Sequence, residues 1–290
     1  MHTPMWSRQR SGSVVCPSCG RLVGVKDASC IHCGRPNPGL WGFSRALRAF
    51  GESFGFGPMV MVTCGGLYLA ALLMDPQGIG GGGPFSLLSP SLQSLFTLGA
   101  SGAVPIFGMG RWWTVLSAAW LHGGLLHILF NMLWIRHLAP ASTQLFGPAR
   151  VVLIYTVSAI TGFGLTSLVG ALMPFLPTML QGARFSVGAS APVFGLLGAL
   201  VLYGRRSGSH LVGSQALGYA LMLGLFGFIM PGIDNWAHAG GFLGGYAAAA
   251  LLDPRLPERL DHLLGALFCL AATVAAVLAS VLTAFSAFRS

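Results

Sequence analysis

Gly188-Ala189-Ser190-Ala191-Pro192-Val193-Phe194-Gly195 sets one hydroxyl among small and apolar residues, at the head of a long apolar run. Pro192 marks the first turn of a helix predicted over 192–204, since proline has no N–H to lose there. Ser190 then lies at the helix N-terminus. Unpaired backbone N–H groups and the positive end of the dipole favour developing negative charge at that point. Two roles suit such a serine: an N-cap in a glycine-rich membrane segment, or a hydroxyl placed to react. The company it keeps elsewhere in the chain separates the two.

Around this stretch the composition is that of a membrane protein. Of 290 residues, 54% are hydrophobic and only 8% charged, against roughly 25% charged in soluble domains. Length and absence of charge predict seven spans, near 58–74, 112–135, 151–172, 188–204, 211–233, 235–252 and 263–285. The fold class expected is therefore an all-α polytopic membrane protein. With the N-terminus inside, the inner segments hold Arg8, Arg10, Arg21, Lys26, Arg35, Arg45, Arg48, Arg136, Arg150, Arg205, Arg206, Arg255 and Arg259, and the outer side keeps Arg111, Arg184 and Arg289. Cytoplasmic loops carry the excess of Lys and Arg, so the N-terminus is expected in the cytoplasm and the C-terminus on the opposite side. The net charge of +9 then reflects topology and contact with anionic lipid, and no nucleic-acid partner is expected. The first apolar run begins near residue 58, behind a polar segment, so no cleavable signal peptide is expected.

That polar segment reads as a separate module over 1–37. Cys16-Pro-Ser-Cys19 and Cys30-Ile-His-Cys33 are two Cys-x-x-Cys knuckles, each followed by a glycine, Gly20 and Gly34, that allows a tight turn. Four thiolates at this spacing suit a tetrahedral structural Zn²⁺, and a segment so small needs the metal to fold. A reducing cytoplasm disfavours disulfides there, and a redox-active pair is the rival reading. The module resembles a short zinc ribbon. His32 lies inside the second knuckle and is not needed as a ligand beside four cysteines, while Cys64 and Cys269 read as buried thiols of apolar spans. Residues 38–57 form a linker, with a short amphipathic stretch from Phe43 to Phe50 suited to the membrane surface.

The connection over 75–111 carries too many apolar residues for a solvated loop, among them Phe85, Leu87, Leu92 and Phe96. It is expected to be structured and to lie partly in the outer leaflet, where protein or water must satisfy its backbone. Next comes His122-Gly-Gly-Leu-Leu-His127-Ile-Leu-Phe-Asn131, in which His127 and Asn131, four apart, share a helix face. Polar side chains within a span face the bundle interior or a water-filled cavity, either as hydrogen bonds between helices or as part of a site. His137, on the basic side, reads as interfacial. The sixth span opens Asn235-Trp-Ala-His238, with Gly241 and Gly245 on the histidine's own face. Small residues there, and Gly195, Gly198 and Ala199 on the fourth span, allow two helices to approach closely. Such packing permits a histidine to reach a serine on the neighbouring helix, without the sequence itself fixing that distance.

These three stretches, in this order, resemble the rhomboid intramembrane serine proteases. The resemblance covers residues 58–252. It rests on His-x4-His-x3-Asn at His122, His127 and Asn131, Gly-x-Ser at Gly188 and Ser190, and the Ala237-His238 opening of the sixth span. It implies a six-helix catalytic core over 58–252, with 253–290 contributing an additional C-terminal transmembrane helix. It further implies a serine-type endopeptidase that cleaves transmembrane protein substrates within the lipid bilayer by a Ser–His dyad, with no cofactor for catalysis. Carried over residue by residue, Ser190 is the nucleophile and His238 its general base. His127, Asn131 and the Ser190 N–H form the oxyanion hole, and His122 is a supporting residue. The chemistry is sound on its own terms: serine needs an adjacent base, and neutral imidazole serves near pH 7. Asp234, one turn ahead of His238, reads as a loop or helix-start residue with no part in proton transfer. Two positions depart from the family pattern. Ala191 replaces the usual glycine after the serine and adds a methyl group beside the oxyanion pocket. The family's outer-loop Trp-Arg pair appears as Trp113-Thr114, with Arg111 out of register. A catalytically idle rhomboid-like protein that binds membrane clients is the alternative, against which stands the retention of both Ser190 and His238. A transporter is disfavoured, since no inverted repeat or intramembrane carboxylate is visible.

Overall fold

In a computed structural model, the residues described are 8–44, 55–81, 86–177, 180–230, 232–256 and 258–287. The amphipathic stretch from Phe43 to Phe50 lies mostly outside them. The N-terminal module pairs β1 (Ser13–Val15) with β2 (Leu22–Gly24) in an antiparallel hairpin, with Val14 opposite Val23. Its core is small: Val14, Val23 and Val25 pack with Cys16, Cys19 and Cys30. Three of these six residues are cysteines, which fits a unit that draws its stability from a bound metal rather than from buried area.

The membrane core contains α1 (Phe56–Met74), α2 (Leu92–Leu98), α3 (Thr114–Ser117), α4 (Leu125–Phe146), α5 (Pro148–Leu172), α6 (Ser190–Ser207), α7 (His210–Ile229), α8 (Asn235–Leu251) and α9 (Leu260–Ala287). Four of these, α1, α5, α7 and α9, are each long and apolar enough to cross a membrane. The other long helices are special for stated reasons. α6 is buried almost throughout from Ala191 to Leu202, and α8 has 17 residues, many of them glycine or alanine. α6 is thus shielded by neighbours and needs no greasy exterior, whereas α8 keeps one exposed face that carries Leu243 and Leu251.

The second span differs from expectation. The apolar run over 112–135 is not one helix: α3 and the turn through Trp120 meet α4 at 90°, and α4 starts only at Leu125. Gly123 and Gly124 break the run, with Gly124 in an extended conformation. A hydropathy window averages across such a break and does not register it. At its other end α4 continues past Arg136 and His137 to Phe146, accommodating Pro140 on the way. His122 therefore lies in the turn ahead of α4 rather than on it.

The connection between α1 and α3 is structured where described: Leu95 and Leu98 of α2, with Ala100 and Leu121, are buried against Ala71 of α1 and beside Val281 of α9. Arg111 anchors it. Its guanidinium donates to the Phe96 carbonyl (3.0 Å) and to the Ser280 carbonyl on α9 (2.8 Å), and lies 4.0 Å above the Phe96 ring. Trp113 Nε1 donates to Ser280 Oγ at 3.1 Å. The out-of-register arginine is thus held by α9.

At the centre, α6 is pressed against α5 and α8 with almost no side chain between backbones. Gly241 sits on the Ala191 carbonyl, Gly245 on the Gly195 carbonyl, and Gly198 against the Phe242 carbonyl, so a side chain at any of them would collide. In lipid, where apolar side chains gain little by meeting one another, such close van der Waals contact is what holds helices together.

Candidate functional site

The approach to Ser190 is held from three sides. Ser101 and Ser186 exchange backbone hydrogen bonds (3.0 and 2.7 Å), Ala183 N donates to Thr166 Oγ1 on α5 (2.8 Å), and Gly188 N donates to the Ala118 carbonyl (2.9 Å). Gly188 has φ +137°, a conformation that side-chain-bearing residues rarely adopt. The next residue but one opens α6. Ser190 is partly exposed, and its own N–H belongs to the first turn, where helical partners are lacking.

His127 stands in the first turn of α4. The Gly123 N–H donates to its Nδ1 at 3.3 Å, which assigns the ring hydrogen to Nε2. A Cβ added at Gly188 would lie 2.7 Å from that Nε2 and 3.6 Å from Ser190 Oγ. The donor and the hydroxyl therefore flank one small space, kept open because residue 188 has no side chain. His122 is fully buried, with its ring edge-on to His127 at 5.2 Å between centroids. Asn131, one turn further along α4, is buried as well, and its amide nitrogen donates to the His127 carbonyl at 3.0 Å. In this state it is turned onto its own helix.

His238 lies in the first turn of α8. Its ring stacks on Phe194 with centroids 4.2 Å apart and planes 16° from parallel. Phe194 is one turn after Ser190 on α6, so the imidazole is held at the serine end of that helix. Asp234 caps α8: its Oδ1 accepts from the Ala237 N–H (3.0 Å), while its Oδ2 accepts from Ser186 Oγ (2.6 Å). Burial pushes this carboxyl above its ordinary range, and the hydrogen bonds from Ser186 and Ala237 pull it back. The expected helix-start position of Asp234 is where it lies. Its tie to Ser186 is new. The one sequence hint is the shared offset, for each residue stands four positions ahead of Ser190 or His238. The Ala191 methyl packs on α5 within 2.8 Å of where a Gly162 side chain would begin, so it fills the space of that missing side chain.

In the N-terminal module the sulfur atoms of Cys16, Cys19, Cys30 and Cys33 lie within 4.8 Å of one another. Cys16 and Cys33 are 3.8 Å apart, and Cys19 and Cys30 3.6 Å. Tetrahedral zinc with bonds of about 2.3 Å requires sulfur separations of about 3.8 Å, so the cluster fits the ion and is too open for disulfides. The two knuckles mirror each other. Gly20 and Gly34 turn with φ +72° and +71°. Arg21 reaches His32 (3.2 Å), and Arg35 reaches Ser18 (2.7 Å). His32 is thus engaged by an arginine beside the cluster.

The family profile of the Rhomboid domain matches residues 109–255. That interval holds His122, His127, Asn131, Ser190 and His238, and leaves out the cysteine module and α9. Similar proteins include RHOMBOID-like protein 5 of Arabidopsis thaliana, 37% identical over 168 residues (55% of this chain, 50% of the relative). Rhomboid protease GluP of Bacillus subtilis is 34% identical over 190 residues (64% of this chain, 35% of the relative). Inactive RHOMBOID-like protein 8 of Arabidopsis thaliana is 31% identical over 164 residues (54% of this chain, 43% of the relative). The matched stretch spans half or less of the length of each.

Proposed function

The chain belongs to the rhomboid family, and on that premise we propose that it is an intramembrane serine endopeptidase cutting transmembrane proteins with a Ser190–His238 dyad. The observation that carries this reading is the shared space at Gly188, flanked by Ser190 Oγ and the His127 Nε2 donor, with His238 stacked one turn along on Phe194.

In the proposed reaction Ser190 Oγ attacks the scissile carbonyl carbon as His238 takes its proton. The carbonyl oxygen becomes an oxyanion, received by His127 Nε2–H and the Ser190 N–H. Asn131 joins them by turning its amide away from the His127 carbonyl. Collapse breaks the C–N bond, and His238 returns its proton to the leaving amine. Water, deprotonated by the same histidine, then hydrolyses the acyl ester and restores Ser190. Each oxyanion donor stabilises the transition state by about 3 kcal/mol, which accounts for polar residues at costly positions within the membrane. Cys16, Cys19, Cys30 and Cys33 would hold Zn²⁺ as a structural ion that cross-links the two knuckles, with no part in the reaction.

The test is cleavage of a membrane-embedded substrate by the reconstituted protein. Ser190→Ala and His238→Ala are each expected to reduce it to background, and the double variant to do no worse, because members of a catalytic unit are non-additive. Undiminished cleavage by Ser190→Ala would refute the assignment. A wild type that binds the substrate without cutting it would favour the idle, client-binding form of the family.

A further inference from the structure

We propose that Ser186 and Asp234 form a positioning pair, whose hydrogen bond straps the segment entering α6 to the start of α8 and sets the separation of Ser190 from His238. The inference rests on the dyad reading above. Its observations are separate from that reading.

Ser186 is fixed from behind by its two backbone hydrogen bonds to Ser101, which tie it to the connection between α1 and α3. Asp234 is fixed from its side by capping α8 at Ala237. The 2.6 Å bond from Ser186 Oγ to Asp234 Oδ2 therefore joins two held points rather than two free side chains. Ser190 follows Ser186 by four residues across the Gly188 turn, and His238 follows Asp234 by one helical turn. A shift of either anchor is passed to the corresponding reacting group.

The residue types support a role beyond capping. A serine at position 234 would satisfy the one N–H that a cap must meet. The observed carboxyl is partly buried, and among the described residues it has no ion pair with a cation. Burying a charge in this way is unfavourable, and its second oxygen is occupied by Ser186. The central glycine contacts hold α6 and α8 together along their length, at Gly241, Gly245 and Gly198. The seam reaches the first turn of α6, where Gly241 meets Ala191, but it does not extend ahead of Ser190 and His238. The Ser186–Asp234 bond adds a tie on that far side of both residues.

Asp234 acts here as an acceptor of hydrogen bonds and not as a proton carrier, so asparagine can replace it. The amide oxygen keeps the Ala237 N–H, and the amide nitrogen donates to Ser186 Oγ, reversing one bond without losing it. Alanine at either position breaks the strap.

The experiment uses the full chain reconstituted in bilayers, with Ser186→Ala, Asp234→Ala, Asp234→Asn and the double alanine variant. Three quantities are read: kcat and KM for a membrane substrate, the rate of Ser190 labelling by a fluorophosphonate, and amide exchange over 186–194 and 232–240. Both alanine variants should lower kcat and the labelling rate about 10- to 100-fold, the range expected when reacting groups are misplaced by about an ångström. KM should stay unchanged, exchange should rise in both segments, and the double variant should match the worse single one. Asp234→Asn should stay close to wild type in every readout. Wild-type kcat in Ser186→Ala or Asp234→Ala, additive losses, or unchanged exchange would overturn the pair while leaving the dyad intact. An Asp234→Asn variant as impaired as Asp234→Ala would overturn it in favour of a carboxylate acting in proton transfer. A wild type unreactive at Ser190 would overturn the protease reading itself, and the positioning role with it.

Discussion

Asn131 is the residue whose present geometry and proposed role lie furthest apart. Its amide is bonded to the His127 carbonyl, so assisting an oxyanion means giving up that bond. A neutral hydrogen bond is worth about 1 kcal/mol net, and an oxyanion donor about 3 kcal/mol, so the exchange favours the transition state. Asn131→Ala should accordingly lower kcat about 10- to 100-fold with little change in KM. Steady-state kinetics in bilayers would read this, and an unaltered kcat would remove Asn131 from the proposed oxyanion hole. The face shared by His127 and Asn131 was legible in the sequence because a helix repeats on a local rule. Ser186 and Asp234 were not, since a hydrogen bond across 48 residues leaves no local pattern. Ala191 shows a different limit. Sequence alone put its methyl beside the oxyanion pocket, whereas the rotation of α6 turns it onto Gly162 of α5. Which way one residue faces depends on helix rotation, which a short motif does not specify.

Among the elements, the seam between α6 and α8 was the most readable, because glycines at 241 and 245 on one helix and 195 and 198 on the other announce close approach. Gly245→Val puts a branched side chain against the Gly195 backbone. It should destabilise the protein by about 1–3 kcal/mol, the usual cost of overpacking, and lower kcat by parting the two helices. Thermal unfolding in detergent alongside the cleavage assay would reveal both effects, and a Gly245→Val variant of normal stability would mean that the seam is looser than described. The bent second span was the least readable element, since two glycines within an apolar run do not alter its average. The C-terminal helix α9 was foreseen as an addition, and its grip on Arg111 was not. Arg111→Ala removes two charge-assisted hydrogen bonds, to the Phe96 and Ser280 carbonyls, at about 1.5–3 kcal/mol each, although the carbonyls keep Gly99 N–H and Thr283 Oγ1 as donors. The expected result is a lower unfolding midpoint. An unshifted midpoint would show that α9 does not depend on this anchor.

For the whole molecule, the cysteine module and the helical core have separate apolar cores, which makes their stabilities separable. Metal analysis of protein expressed with ample zinc should find about one zinc per chain. Cys19→Ser with Cys30→Ser should abolish it while leaving the helical core folded. Less than about half a metal per wild-type chain would count against the site. The charge distribution predicts a cytoplasmic N-terminus and a C-terminus on the opposite side. A reporter fused after Ser290 reads that directly, and a cytoplasmic signal would mean an even number of crossings. The family and its all-α membrane fold were legible from three short motifs, because helix breaks, small-residue seams and polar side chains within lipid are each costly enough to mark a sequence. The central claim, that Ser190 is a nucleophile activated by His238, is tested most directly by mass spectrometry of the wild-type protein after fluorophosphonate treatment in bilayers. A single adduct is expected on the peptide containing Ser190, absent from Ser190→Ala and strongly reduced in His238→Ala. An unmodified Ser190 in folded wild-type protein, or equal modification with and without His238, would contradict it.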